Sequence, residues 1–274
     1  MSIKNIVRSI IRATKKKEII PIEHPVSENN QFEGKVALIS GGTGGIGIAI
    51  AKCLKENGCN IIVAGTNEEK LKRIERNLGE EVASIKWDYS KIEDFESKIE
   101  DARKIFGKID IFISSAGVHT ENVGFWNMTP EEYDRVMDIN LKGTFFACQA
   151  VGKYMMLNNI KGHILLISSS RGSEPAWSPY GISKWGMKGL TKGLAKMLIP
   201  HGIVVNTIAP GSTATELIGV KEGDSIYSTE NEESRYIVPD EVGMLAKLLV
   251  SDAGNMIVGE TIHISGGRGV FDIR

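Results

Sequence analysis

At 274 residues with 42% hydrophobic side chains, the chain is long enough to bury one large core, and a single sizeable domain is expected. Its 33 basic and 34 acidic side chains leave a formal net charge of −1, which excludes a body built to capture nucleic acid by charge. Cys53, Cys59 and Cys148 have no metal-ligand spacing and an odd count, so they read as reduced thiols of a cytosolic protein. No metal site and no secretory signal are expected, and no apolar run approaches the ~20 residues that cross a bilayer.

Residues 1–31 read as a separate arm. Ile3, Ile6, Val7, Ile10 and Ile11 recur at helical spacing, with Lys4, Arg8 and Arg12 on the other side, and Lys15-Lys16-Lys17 follow. Six of the 33 basic side chains fall in the first seventeen residues, and no acidic one does. Such an arm suits peripheral contact with an anionic membrane surface, packing on a neighbouring subunit, or partial disorder. From residue 32 to 274 strand-like runs alternate with helical patterns. The strands are placed at 36–40, 60–64, 83–87, 110–114, 163–168, 203–208 and 259–264. That alternation predicts an α/β fold, one doubly wound Rossmann-like domain with a mainly parallel seven-stranded sheet and helices on both faces. Ser90-Lys91-Ile92-Glu93 and Thr129-Pro130-Glu131-Glu132 both read as helix-starting capping boxes.

Two motifs carry chemistry. Between the first strand and a helix beginning near Ile46 lies Ser40-Gly41-Gly42-Thr43-Gly44-Gly45-Ile46-Gly47. Glycines at 41, 45 and 47 let the backbone come close to a pyrophosphate resting on the free N–H groups of a helix N-terminus. Far downstream, Tyr180-Gly181-Ile182-Ser183-Lys184 puts a phenol and an ammonium four residues apart on one helix face. A nearby positive charge favours the phenolate and brings tyrosine towards general acid–base work. A nucleotide turn together with such a pair points to proton transfer coupled to hydride transfer.

From about Lys35 to Gly267 the chain resembles the short-chain dehydrogenase/reductase family in its one-domain form. Ser40 to Gly47 is similar to the family's Thr-Gly-x-x-x-Gly-Ile-Gly, with serine for the leading threonine. Ser114-Ser115-Ala116-Gly117 stands where the family has Asn-Asn-Ala-Gly, so the hydrogen bonds bracing that strand must differ. The resemblance implies Asn140, Ser169, Tyr180 and Lys184 as the catalytic set. Ser169 is favoured over Ser168 and Ser170 by its offset of three from Gly172, although the gap from Ser169 to Tyr180 is about two residues shorter than in many relatives. It implies a cofactor site made by Gly41, Thr43, Gly45, Ile46, Gly47, Thr66, Asn67, Asp88, Tyr89, Ser115, Ala116, Gly117, Tyr180, Lys184, Pro210, Gly211, Thr213 and Thr215. In family terms Tyr180 moves the proton, Ser169 steadies the carbonyl oxygen, Lys184 tunes Tyr180 and holds the nicotinamide ribose, and Asn140 anchors a proton-passing water. The resemblance also implies a homodimer or homotetramer built on the helices carrying Asn140 and Tyr180. Along the second of these, Gly181, Gly186, Gly189 and Gly193 suggest close helix approach.

The second strand runs into Gly65-Thr66-Asn67, with neither the acidic residue that holds a ribose 2′-hydroxyl nor an arginine at 66. With no carboxylate to repel a 2′-phosphate, and with Thr66 and Asn67 as donors, NADP(H) is favoured over NAD(H). A lid is placed at 212–238. Its charges, including Glu216, Lys221, Glu230 and Arg235, together with Arg171, Glu174 and Trp177 beside the serine, favour a polar, sugar- or polyol-like small molecule. His119, after the fourth strand, is within reach of substrate, whereas Trp126 and Trp177 fit either a substrate face or ordinary packing. The expected reaction interconverts a ketone and a secondary alcohol. The alternatives are a reductase of acyl or steroid-like ketones, and a catalytically silent dinucleotide-binding sensor or scaffold.

Overall fold

A computed structural model describes residues 31–221, 223–231 and 233–270. The basic arm therefore lies outside the described residues except for Gln31, and the readings of it are not addressed by the fold. The strands are β1 (Val36–Ser40), β2 (Asn60–Gly65), β3 (Val82–Lys86), β4 (Ile111–Ser114), β5 (His163–Ile167), β6 (Val204–Pro210) and β7 (Thr261–Ile264). They form one seven-stranded sheet in the order β3-β2-β1-β4-β5-β6-β7, and every pairing is parallel. The sequence-predicted fold class is the observed one.

β1 has no polar face because both its faces are covered, as a parallel sheet wound by helices requires. Val36 and Leu38 enter one core with α3 (Phe95–Phe106), α5 (Thr144–Leu157) and α6 (Pro179–Leu198). Ala37 and Ile39 enter the other with α1 (Gly45–Lys55), α2 (Glu68–Leu78) and α7 (Pro239–Val250). α4 (Pro130–Met137) leads into α5 through a π-helical stretch, Asp138–Gly143. The chain winds outward from β1 to β3, then returns to place β4 on the other side of β1. Ligands of such sheets bind at the carboxyl ends of the strands beside that reversal.

Strand ends differ from their sequence placement by at most two residues, and side chains take over from the ladder at two of them. Asp110 lies outside β4 because its Oδ2 accepts the Val36 N–H at 2.9 Å. Asn206 does the same for the start of β7, accepting from Glu260 N–H at 3.0 Å and donating to Ile257 O. Thr129 caps α4 as expected, accepting the Glu132 N–H at 3.3 Å with Pro130 in the first turn. The capping box at Ser90 does not form. Ser90 donates both its N–H and its hydroxyl to Asp88 Oδ1, at 2.9 and 2.8 Å, closing a local turn, and α3 starts five residues later.

Candidate active site

Backbone packing dictates the glycines of the turn. Gly41 has φ +64°, and a Cβ there would lie 2.6 Å from Ala116 N and Ser115 C. A Cβ on Gly47 would strike the Gly41 carbonyl oxygen. The turn is thus pressed against the end of β4, where Ser115 N–H donates to Ser40 O at 3.1 Å. Gly45 differs, since its Cβ would meet the Thr215 side chain, with Cγ2 at 2.6 Å. The obstruction expected for a phosphate is first an obstruction of the segment after β6.

This arrangement opens a cleft of about 240 Å³. Gly41, Thr43, Gly45, Ile46 and Gly47 line it, as do Ser115, Gly117, Tyr180, Lys184 and Thr215. Pro210 ends β6, and the Gly211 N–H donates to Ile264 O at 2.9 Å. Thr213 and Thr215 are buried and turn their hydroxyls onto Gly211 O and Thr213 O. Asp88 spends one carboxylate oxygen on Ser90, while Thr66 stands exposed and Asn67 commits its side-chain oxygen to capping α2 through Lys70 N–H at 2.9 Å.

Tyr89 departs from the cofactor set. Its side chain is 4% exposed, and its hydroxyl donates to Ser40 Oγ at 2.7 Å and lies 3.3 Å from Ser114 Oγ. Ser114 Oγ in turn lies 3.4 Å from Thr144 Oγ1. This hydroxyl chain braces β1 against β4 and α5, and supplies the bonds that Ser114-Ser115 cannot make as asparagines would. Burial pushes the Tyr89 phenol well above its ordinary range, and it stays protonated.

The four residues of the catalytic set converge. Tyr180 and Lys184 lie on one face of α6, started by Ser178, which accepts the Gly181 N–H, and by Pro179. Lys184 is 4% exposed and donates to Ile167 O at 3.0 Å, with its Nζ 5.6 Å from the Tyr180 ring centroid. Burial pulls the ammonium down to about 8. Tyr180 differs from the expectation. Burial raises its phenol above the ordinary value, and a hydrogen bond with Ser169 and the charge of Arg171 oppose the rise. Ser169 is the partly open member of the serine triplet and accepts the Arg171 N–H at 3.2 Å. Ser168 and Ser170 are buried, and Ser168 donates to Lys184 O at 3.1 Å. Asn140 sits in the π-helical stretch, a common device at functional sites. It accepts from Val118 N–H at 2.8 Å and donates to Val118 O at 2.9 Å and Ser183 Oγ at 3.3 Å. A Cβ on Gly117 would lie 3.4 Å from Asn140 Oδ1 and 3.6 Å from Lys184 Nζ, so the three pack as one unit.

Beside the cleft, a cavity of about 250 Å³ is lined by Ser169, Tyr180, His119, Arg171, Glu230 and Arg268, among others. Sequence reasoning missed Arg268. The chain turns back onto the site at Gly266 and Gly267, with φ +58° and +90°, and delivers a guanidinium with 15% side-chain exposure. Arg268 pairs with Glu174 at 2.7 Å and with Glu230, and reaches Ser212 Oγ at 3.2 Å; Ser212 also donates to Glu230. Arg171 bonds Glu174 at 3.0 Å. The Ser-Gly-Gly-Arg string was the available signal, but its partners lie at least 38 residues away. Arg235 turns away from the cavity to pair with Glu241 of α7, and Trp126 and Trp177 line neither space.

A parallel sheet, a glycine turn at its reversal and a Ser/Tyr/Lys group at the strand ends define a dinucleotide-dependent oxidoreductase. The family model for short chain dehydrogenases matches residues 35–224, and the chain belongs to that family. It is similar to the 3-oxoacyl-(acyl-carrier-protein) reductase of Rickettsia felis, 35% identical over 239 residues covering 85% of this chain and 96% of the relative. It is also similar to glucose 1-dehydrogenase 2 of Bacillus subtilis, 34% identical over 256 residues, covering 87% and 96%. Among solved structures, the 3-ketoacyl-(acyl-carrier-protein) reductase from Brucella melitensis complexed with NADH superposes with a TM-score of 0.78 at 28% identity, covering 87% of this chain and 99% of that one. The protein is an oxidoreductase acting on the alcohol/carbonyl pair with a nicotinamide dinucleotide. No helix among the described residues is long and apolar enough to cross a membrane.

Proposed function

We propose that the protein interconverts a ketone and a secondary alcohol on a polar, sugar- or polyol-like small molecule, with NADP(H) preferred. The observation that carries the substrate class is the cavity over Tyr180. Its floor is Ser169 and Tyr180, and Arg171, Arg268 and Glu230 line it, the two arginines linked from behind by Glu174, so that two cations are matched by two anions. A rim neutral in sum but dense in donors and acceptors suits hydroxyl groups better than an alkyl chain. The reductase of acyl ketones stands as the second reading, because one relative named above reduces a 3-oxoacyl thioester and another oxidises glucose.

In the reduction direction Tyr180 gives its proton to the carbonyl oxygen, for which a phenol kept protonated by burial is suited. Ser169 accepts from the Arg171 N–H, and its O–H, hydrogen-bonded to Tyr180 in the free protein, turns to the same carbonyl oxygen. The cleft residues hold the dinucleotide, which supplies the hydride when bound. Lys184, drawn down to about 8, exchanges protons near neutrality and replenishes Tyr180. The Asn140 side chain is spent on Val118 and Ser183, so its part is to fix the loop carrying Gly117 beside Lys184. The preference for NADP(H) is supported by Arg73 and by Lys70, itself paired with Glu216 at 3.1 Å, which share a cleft of about 350 Å³ with Thr43 and Gly45. A carboxylate at 65 would crowd Thr43, whose Cγ2 lies 3.1 Å from a Cβ built there.

A homodimer or homotetramer is proposed on α5 and α6. Gly181 and Gly186 pack within the chain, where their Cβ atoms would meet Ala176 and Leu141. Gly189 and Gly193 are exposed and face open space, among exposed Ile182, Trp185 and Met197. The direct test of function is absorbance assay of the full chain with NADPH and with NADH against ketoses, polyol-derived ketones and an acetoacetyl thioester. Faster turnover of the thioester than of every polar ketone would overturn the substrate class, and a higher kcat/KM for NADH would overturn the cofactor choice.

A further inference from the structure

The imidazole of His119 stacks on the phenol of Tyr180, with ring centroids 4.0 Å apart and planes inclined by 19°. The backbone that carries it is held at both ends. Asn140 clamps Val118 through its N–H and its carbonyl. On the other side, Arg135 donates to His119 O at 2.7 Å and is itself fixed by a two-pronged pair with Glu132, at 2.7 and 2.9 Å. Glu132 also accepts the Glu121 N–H at 2.7 Å, tying down the outgoing chain. Three side chains from α4 and the π-helical stretch thus serve to place one ring over another.

We infer that His119 is a positioning residue for the reaction: its clamped imidazole fixes the orientation of the Tyr180 phenol and keeps water from that face of the ring. The inference rests on the reading of Tyr180 as the proton-transfer group. A phenol on a two-torsion side chain must be held to within a fraction of an ångström to work on a carbonyl oxygen, and a rigid neighbouring ring does this without competing for the hydroxyl. The same cover adds to the burial that raises the Tyr180 phenol. The charged groups facing His119 are Lys184 from α6 and Arg171 from the loop after β5. Burial first, and then these two cations, hold the imidazole below its ordinary 6.5, so it is neutral at pH 7. Protonating it would gather three cations around one phenol and weaken the enzyme on the acid side.

The test is carbon-13 NMR of the full chain labelled at the tyrosine ring carbon bearing oxygen. The six tyrosines give six signals, and that of Tyr180 is assigned by its absence from Tyr180→Phe. His119→Ala should shift the Tyr180 signal and lower its titration midpoint by about one pH unit as water reaches the ring. His119→Phe, which keeps a stacked ring, should hold the midpoint near the wild-type value. In assays with NADPH and whichever polar ketone or acetoacetyl thioester turns over fastest, His119→Ala should lose kcat about tenfold with the cofactor KM unchanged. His119→Phe should stay within about threefold and lose the wild-type decline on the acid side. An unmoved Tyr180 signal and titration in His119→Ala, or a His119→Phe that behaves like His119→Ala, would overturn the inference. If His119→Ala does not fold, His119→Gln removes the ring at similar volume and is read in the same way. Full activity in Tyr180→Phe would instead sink the acid–base reading, leaving the NMR result on the stack intact.

Discussion

The two halves of the site are held by different forces. On the cofactor side, position comes from backbone against backbone, with Gly41 on Ser115 and Ala116, and Gly47 on the Gly41 carbonyl. On the substrate side, position comes from long charged side chains, where Arg268 joins the β5–α6 loop at Glu174 to the segment after β6 at Glu230. The first kind of contact is short in sequence, close-packed and intolerant of one added carbon. The second spans distant segments, is partly wetted, and changes by exchange of side chains. A rigid dinucleotide cleft beside an adjustable rim is an arrangement in which one fold keeps its cofactor chemistry while substrates vary.

Substitutions that act on one half alone break or sharpen that contrast. The largest effect is expected at the shared boundary. Lys184→Met should reduce kcat at least a hundredfold while raising stability at pH 7 by on the order of 2 kcal/mol, because a buried ammonium is removed. The lysine is depressed from 10.5 to about 8 in the folded chain, so below pH 8 both states carry the proton and the full burial cost is present. Between pH 8 and 10.5 the unfolded state binds more protons, wild-type stability gains on the mutant, and the difference closes. Denaturant titrations of both proteins across that range check the sign.

On the cofactor side, Gly45→Ala should weaken NADPH binding about tenfold by calorimetry, since the new methyl group meets Thr215 Cγ2. Adding Thr215→Ser removes that carbon and should restore most of the affinity; failure of the rescue would mean that the added methyl group meets the cofactor and not the protein. On the substrate side, Arg268→Ala should raise the substrate KM by about tenfold, with kcat changed less than threefold and NADPH affinity untouched. Equal losses for both ligands would erase the proposed division between halves. Smallest in its effect on a single subunit is Gly189→Leu, which faces open space. It should leave the melting temperature of the dilute protein nearly unchanged and shift sedimentation towards the monomer.

The sequence made the rigid half readable and left the adjustable half largely dark, for a physical reason. Close backbone approach demands glycine at fixed offsets, so Gly41 and Gly47 carry their geometry in the string, whereas the Thr215 side chain that crowds Gly45 comes from a distant segment. The five inner strands were legible because burial on both faces leaves apolar runs bounded by turns, while the edge strands β3 and β7 are only partly buried. Tyr89 misled because its neighbours in the string do not reveal that Ser40, Ser114 and Thr144 close around its hydroxyl. Ser90 misled because Asp88, two residues away, offers its hydroxyl a nearer acceptor than a helix does. The partners of Arg268 and the stack of His119 on Tyr180 were not legible, since each contact joins elements brought together only by the sheet. The four α6 glycines looked alike in sequence, yet two pack inside the chain and two face outward.

The measurement that bears most directly on the central claim is NADPH-linked turnover of Tyr180→Phe beside its NADPH affinity by calorimetry. The account predicts a loss of kcat of about a thousandfold or more, with the dissociation constant within about threefold of wild type, because only the proton donor is gone. A variant that binds NADPH normally and retains most of the wild-type kcat would contradict it.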